Sequence, residues 1–248
     1  MNKLYFVFWL LIAVVHANGA NDGFVLITIL YNEVNEKRLE EYRVCLNQNL
    51  QHNLIKKVHV IYDVSKDDGN NKLLQHLQNN TIEMTYVTGR VTYGYCFDLV
   101  NHLYPGEKII LCNGDIYCNE TLSLLMDYDL TGKFLALTRW NVKKDGSLEI
   151  SKLYDKFGQF SPEFSAMSQD AWIFSAPIRK FDDASILMGT FHCDGRIAFQ
   201  ANKSGLNVVN PCLSIQCCHL HLSGIRNYEK ENWSVYKDSM MRVYWSSL

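Results

Sequence analysis

The chain has 248 residues, a formal net charge of −2 and 20% charged side chains. That length supports one sizeable domain with a full core, and the near-balanced charge excludes a polybasic nucleic-acid surface and an acidic tail. Plentiful aromatics and only 4 prolines exclude a disordered chain.

At the N-terminus Lys3 precedes an apolar run over residues 4–15, followed by Ala17-Asn18-Gly19-Ala20. This is the order of a secretory signal peptide. The run is shorter than the roughly 20 residues of a membrane span. The expectation is a signal peptide over residues 1–20, cleaved or kept as an anchor, and one domain over 21–248. The secretory pathway follows, either the endoplasmic reticulum and Golgi lumen or the exterior; in a bacterium it would be the periplasm or envelope. A membrane partner arises only if the segment is uncleaved. All eight cysteines lie beyond it. An even count in a secreted chain permits disulfides, and Cys212, Cys217 and Cys218 form the best candidate group. Sequons at Asn79, Asn119, Asn202 and Asn232 are glycan acceptors in a eukaryotic secretory protein.

Residues 24–30, FVLITIL, form an apolar β-branched run suited to a strand buried on both faces. Residues 36–49 pattern as an amphipathic helix. A second strand over 57–62 ends at Asp63, and a polar loop over 65–71 follows. A helix is expected at 72–78, a strand at 82–87, a helix at 95–103 and a strand at 109–111 that runs on to Asp115. Such alternation predicts an α/β fold with a mainly parallel sheet flanked by helices. Ligands of such sheets bind beyond the carboxyl ends of the strands. Asn32, Asp63, Arg90 and Asp115 all follow strand ends, so they should meet at one edge. In the second half, strands are expected at 134–138, 171–174, 207–210 and 213–222. The polar stretch 141–168 is expected to be an irregular excursion. A helix over 195–203 should end at Gly205, and the tail over 229–247 is expected to be helical.

Taken in order, these blocks resemble the nucleotide-diphospho-sugar glycosyltransferases of GT-A fold. The matching stretches are ITILYNE at 27–33, Asp63, Asn113-Gly114-Asp115, Gly189 to Asp194, and His219-Leu220-His221. The blocks NGDIY, SQDAWIF and HLHLSGIRNY are similar to those of uncharacterised glycosyltransferase-like proteins. The resemblance spans most of 24–228. It implies sugar transfer from a nucleotide-sugar donor to a hydroxyl of a glycan, protein or lipid acceptor, aided by Mn²⁺ or Mg²⁺. It also implies that Asp63 contacts the nucleoside and Asp115 binds the metal. A late histidine then serves as second ligand: His221, which Gly224 and Arg226 follow, with His219 two residues before it. Asp194, at a helix start, is implied as the general base, and Asp170 is the alternative.

Physical chemistry supports such residue types. A diphosphate leaving group builds negative charge, which a hard cation held by carboxylate and imidazole neutralises. Arg90 and Arg226 are diphosphate candidates through charge-assisted hydrogen bonds, and Tyr31 and Asn32 are candidates for the nucleobase. Asn113 departs from the Asp-x-Asp pattern, since an amide oxygen binds a cation more weakly than a carboxylate. That departure keeps a second reading open, a secreted sugar- or partner-binding module. Bland roles also exist: Asp115 and Asp194 are favoured helix caps, and either histidine can be a buried structural side chain. A zinc site at Cys217, Cys218, His219 and His221 lacks the second, separated ligand pair. A nucleotidyltransferase would need a basic loop where Asn32 to Glu36 is acidic.

Overall fold

The computed structural model describes residues 23–66, 73, 82–225 and 239–248. The expected signal peptide, the helix expected at 72–78 apart from Leu73, the sequons at Asn79 and Asn232, and Arg226 lie outside these residues.

In chain order the elements are β1 (Phe24–Tyr31), α1 (Glu36–Gln51), β2 (Ile55–Asp63), β3 (Ile82–Val87), α2 (Tyr93–Leu103), β4 (Lys108–Asn113), β5 (Ile116–Cys118), β6 (Lys133–Leu137), β7 (Arg139–Val142), β8 (Leu148–Ile150), α3 (Pro162–Ser165), β9 (Ala171–Ser175), α4 (Cys193–Lys203), β10 (Asn207–Val209) and β11 (Cys217–His219). Seven strands form one sheet in the order β10-β6-β9-β4-β1-β2-β3. Pairings of β1 with β2 and β4, of β2 with β3 and of β6 with β10 are parallel. Strand β9 runs antiparallel between β4 and β6. The sheet is therefore mixed, though mainly parallel.

Side chains alternate across a strand, so the continuous apolar runs feed two cores. Val25, Ile27, Ile109, Leu111, Phe134, Trp172 and Phe174 face one side. There they meet Phe97 and Val100 of α2 and Ile197 and Ala201 of α4. Phe24, Leu26, Leu30, Ile110, Leu135 and Ile173 face the other side, against Leu39, Tyr42 and Leu46 of α1. Asn35 caps α1 by accepting the N–H groups of Lys37 and Arg38, and Thr92 caps α2 through Tyr95 N–H. Gly205, at φ +87°, follows α4 as its composition predicts.

A second sheet has the order β5-β11-β7-β8. Its residues include two places where the sequence reading is corrected. Residues 139–150 are a β-hairpin closed at Asp145-Gly146 rather than the start of an irregular excursion. The strand expected at 213–222 shrinks to β11, because Pro211 to Ile215 is folded into turns. In the described tail, residues 240–248 are not helical; they carry a bridge from Trp245 to Asn210.

All eight cysteines are described, and all are buried free thiols. The disulfide expectation for Cys212, Cys217 and Cys218 is thereby corrected. Cys217 and Cys218 are consecutive on β11 and so project to opposite faces; the Cys217 sulfur packs against the carbonyls of Leu137 and Thr138. Asn119 is engaged as well, capping the following 3₁₀ turn and donating to Gln216 Oε1, whereas Asn202 is exposed.

Between β4 and β5 the chain turns at Gly114. A Cβ there would stand 2.5 Å from Leu30 Cδ2 and 3.0 Å from the Ile29 carbonyl oxygen. Glycine is thus what lets Asp115 leave the sheet edge tightly against β1. Gly114→Ala is expected to lower stability by about 1–3 kcal/mol, the usual cost of overpacking, measured by urea denaturation. An unchanged midpoint would show that the turn is not constrained.

Candidate active site

Parallel strands β1, β2 and β4 end on the same edge, and antiparallel β9 begins there. That edge lies along a cleft of about 340 Å³. Tyr31, Asp63, Arg90, Asn113, Asp115, Asp170, His219 and His221 all line it. Asn32 is buried and is not among the lining residues. Asp194 also lies outside the lining. Lys66, Arg38 and Arg139 line the cleft without having been singled out from the sequence.

Asp115 is the most constrained group. Its side chain is buried, and a single oxygen, Oδ2, meets three partners: Arg38 Nη2 at 2.6 Å, His219 Nε2 at 3.0 Å and His221 Nδ1 at 3.8 Å. Burial opposes its ionisation, but His219, His221 and Arg38 outweigh burial and hold its carboxyl well below the usual range. Arg38 also donates to Glu41 Oε2 at 2.9 Å. Burial opposes the charge of Arg38, yet Asp115 and its other neighbours raise its pKa above the usual arginine value. Glu41 in turn accepts Ser223 N–H at 2.6 Å and Ser223 Oγ at 2.9 Å. Helix α1 therefore ties down the segment that follows His221.

Those residues fit a hard cation. Asp115, His219 and His221 each offer a ligand atom, all within 4.8 Å of one another. Two ligands at right angles around an ion with bonds of about 2.1 Å stand about 3 Å apart, and His219 Nε2 is 3.0 Å from Asp115 Oδ2. Both ring nitrogens of His221 are buried without a hydrogen-bond partner among the described residues, which is costly for a polar group unless something binds there. No cysteine joins this cluster.

Asn113 has a different duty. Its Nδ2 donates to Asp170 Oδ1 at 3.2 Å, so the first position of the motif is engaged with Asp170. A carboxylate there would oppose Asp170; an amide supports it. Arg139 Nη1 holds the other Asp170 oxygen at 2.9 Å. Asp194 is half-buried next to this pair. One of its carboxyl oxygens lies 3.1 Å from the Cys193 sulfur and the other 3.4 Å from Gln169 N–H. Burial, and then the neighbouring Asp170, push the Asp194 carboxyl up to about 8.

Asp63 Oδ1 accepts Ser65 N–H at 2.9 Å and Gly89 N–H at 2.8 Å. Burial opposes its ionisation, but these hydrogen bonds lower its pKa. The Lys66 ammonium sits 4.2 Å from the centre of the Tyr31 ring, while the Tyr31 hydroxyl lies 3.0 Å from that of Tyr42. Arg90 spans the cleft to the Gly189 carbonyl at 2.5 Å.

No family model matches the sequence, and no curated protein does either. Solved structures do resemble it. The mannosyltransferase PcManGT from Pyrobaculum calidifontis, in complex with GDP-Man and Mn²⁺, is 12% identical over 80% of this chain and 56% of its own, with a TM-score of 0.50. GalNAc-T7 with UDP, GalNAc and Mn²⁺ is 10% identical over 80% of this chain and 44% of its own, at 0.54. TarS 1–349 from S. aureus is 15% identical over 87% and 62%, at 0.47. The chain spans less than two thirds of each of these structures. The likeness establishes a GT-A-like fold.

Two outcomes follow from the electrostatics. Arg38→Met strands a buried carboxylate and should cost about 3–5 kcal/mol, as for other broken buried pairs; a loss below about 1 kcal/mol in urea denaturation would remove Arg38 from this role. Asp194 has a folded pKa above its unfolded one, so the folded state holds an extra proton between about 4 and 8. The associated stability is fully present below the unfolded pKa and is lost as pH rises through the folded one. Asp194→Asn should therefore gain stability relative to the parent chain progressively across that window. A difference independent of pH would contradict the raised pKa.

Proposed function

We propose that the protein transfers a sugar from a nucleoside diphosphate donor to an acceptor hydroxyl. The observation that carries this reading is the convergence of Asp115, His219 and His221 in a cleft that also exposes Asp63, Arg90, Arg139 and Asp170. Asp115, His219 and His221 would hold Mn²⁺ or Mg²⁺. When bound, the cation acts as a Lewis acid toward the diphosphate oxygens.

The chain's own groups supply the rest. Asp63 is held by two backbone N–H groups and accepts a hydrogen bond from the nucleoside. Tyr31, with Lys66 over its ring, offers a cationic edge beside it. Lys66 and Arg90 add positive charge for the phosphates, and Arg226 is the further candidate that its place after His221 suggests. For the acceptor, Asp170 is the better-placed proton acceptor. It lines the cleft, with Arg139 and Asn113 fixing its two oxygens. Asp194 supports it from outside the lining as a carboxyl that favours its neutral form, so no second negative charge stands beside Asp170. The reaction is assigned to the secretory lumen, or to a bacterial envelope, by the pattern of the first 20 residues.

Thermal shift with UDP, GDP and CMP, each with and without Mn²⁺, tests the donor site. One nucleotide should raise Tm only in the presence of Mn²⁺, because a ligand of the folded state stabilises it, and Asp115→Asn should abolish that rise. A flat response to all three contradicts the reading. Nucleotide release in a donor screen then separates a transferase from a binding module. Asp170→Asn should lower turnover by about 10²–10⁴-fold, the usual worth of a general base, and more than Asp194→Asn does. The reverse order would return the role of base to Asp194.

A further inference from the structure

Three neighbouring strands of the small sheet present a row of polar side chains. Asp115 precedes β5, His219 pairs with Ile116 across β5 and β11, and His219 also pairs with Asn141 across β11 and β7. Arg139, two residues before Asn141 on β7, projects to the same face. The contacts run in series. Asp170 Oδ2 accepts Arg139 Nη1 at 2.9 Å, and Arg139 Nε lies 3.3 Å from Asn141 Oδ1. The same Oδ1 lies 3.1 Å from His219 Nδ1, and His219 Nε2 lies 3.0 Å from Asp115 Oδ2.

We propose that Asn141 is a positioning residue that selects which nitrogen of His219 is free to ligate the cation. The inference rests on the cation reading above. A guanidinium has only donors, so the end of the Asn141 amide that faces Arg139 is its oxygen, and the orientation of an amide follows from such neighbours. That oxygen can only accept. His219 Nδ1 is then the N–H, so in the cation-bound protein Nε2, the nitrogen beside Asp115, is the one that carries the ligating lone pair. Partners of this kind on the far side of a ligating histidine fix both its tautomer and its ring direction. Arg139 serves two masters at once: it orients Asp170 for the acceptor and Asn141 for the ligand. The row therefore couples the two ends of the cleft through side chains alone.

Manganese binding alone provides the test, with Mn²⁺ titrated into the full chain and free ion followed by electron paramagnetic resonance. Asn141→Ala should raise the Mn²⁺ dissociation constant about 10–100-fold, the usual effect of losing an outer partner. Asn141→Asp keeps an acceptor at Nδ1 and should stay within about 3-fold of the parent chain, a rescue that a packing role does not predict. Visible absorption of the Co²⁺-loaded protein should change in Asn141→Ala and be restored in Asn141→Asp. If the parent chain binds Mn²⁺ and Asn141→Ala binds it equally well, the Asn141 assignment falls and the cation site stands. If Asn141→Asp is as weak as Asn141→Ala, the acceptor role falls. If the parent chain and His219→Ala alike fail to bind Mn²⁺, the cation reading itself falls. Should Asn141→Ala misfold, Asn141→Leu fills the space without an acceptor and is read in the same way.

Discussion

A buried carboxylate has to be matched, and much of this site follows from how Asp115 is matched. Removing an ion from water costs several kcal/mol unless opposite charge and hydrogen bonds replace the solvent. Asp115 finds those partners on three distant parts of the chain: Arg38 in α1, His219 on β11 and His221 just beyond it. Helix α1, the β4–β5 turn and the late segment are thereby tied to a single oxygen atom. Gly114 is required because that oxygen has to be delivered close against β1. Glu41 extends the tie to Ser223, so the segment carrying the histidines is held at both ends.

Carboxylates in and beside the cleft are treated oppositely. Asp63 and Asp115 receive donors and are driven toward ionisation. Asp194 receives burial and a like-charged neighbour and is driven toward neutrality. Such divergence is how one fold assigns different tasks to the same chemical group. Asn113 belongs to this arrangement. Where the resembling enzymes carry an aspartate, the amide here supplies a donor to Asp170, and a pair of histidines completes the candidate cation site with Asp115.

The main sheet was legible in part because strands buried on both faces advertise themselves as unbroken apolar runs, and 24–30 lies almost where β1 does; the half-exposed edge strand β3 coincides with the expected 82–87 through its β-branched and aromatic residues. Convergence of Asp63, Arg90 and Asp115 was legible for a topological reason, since parallel strands end on one edge. Other residues were hidden by the same local reasoning. Arg38 sits in the first turn of α1 among Glu36, Lys37, Glu40 and Glu41, which reads as a solvated face; only its meeting with Asp115, 77 residues away, reveals it. Strand β7 is four residues long and ends at two lysines, so Arg139 and Asn141 passed for loop. The Asp145-Gly146 turn, flanked by Trp-Asn-Val and Leu-Glu-Ile, was the signal that would have exposed the hairpin. Cysteine count misled in the opposite direction, because eight buried thiols serve as small apolar side chains.

Diffraction from crystals soaked in Mn²⁺ and a nucleoside diphosphate, recorded near the manganese absorption edge, bears most directly on this account. An anomalous peak is expected within about 2.5 Å of Asp115, His219 Nε2 and His221, with the phosphates on its far side and the nucleoside toward Asp63. A fully occupied nucleotide elsewhere, with no peak at these residues, would contradict it.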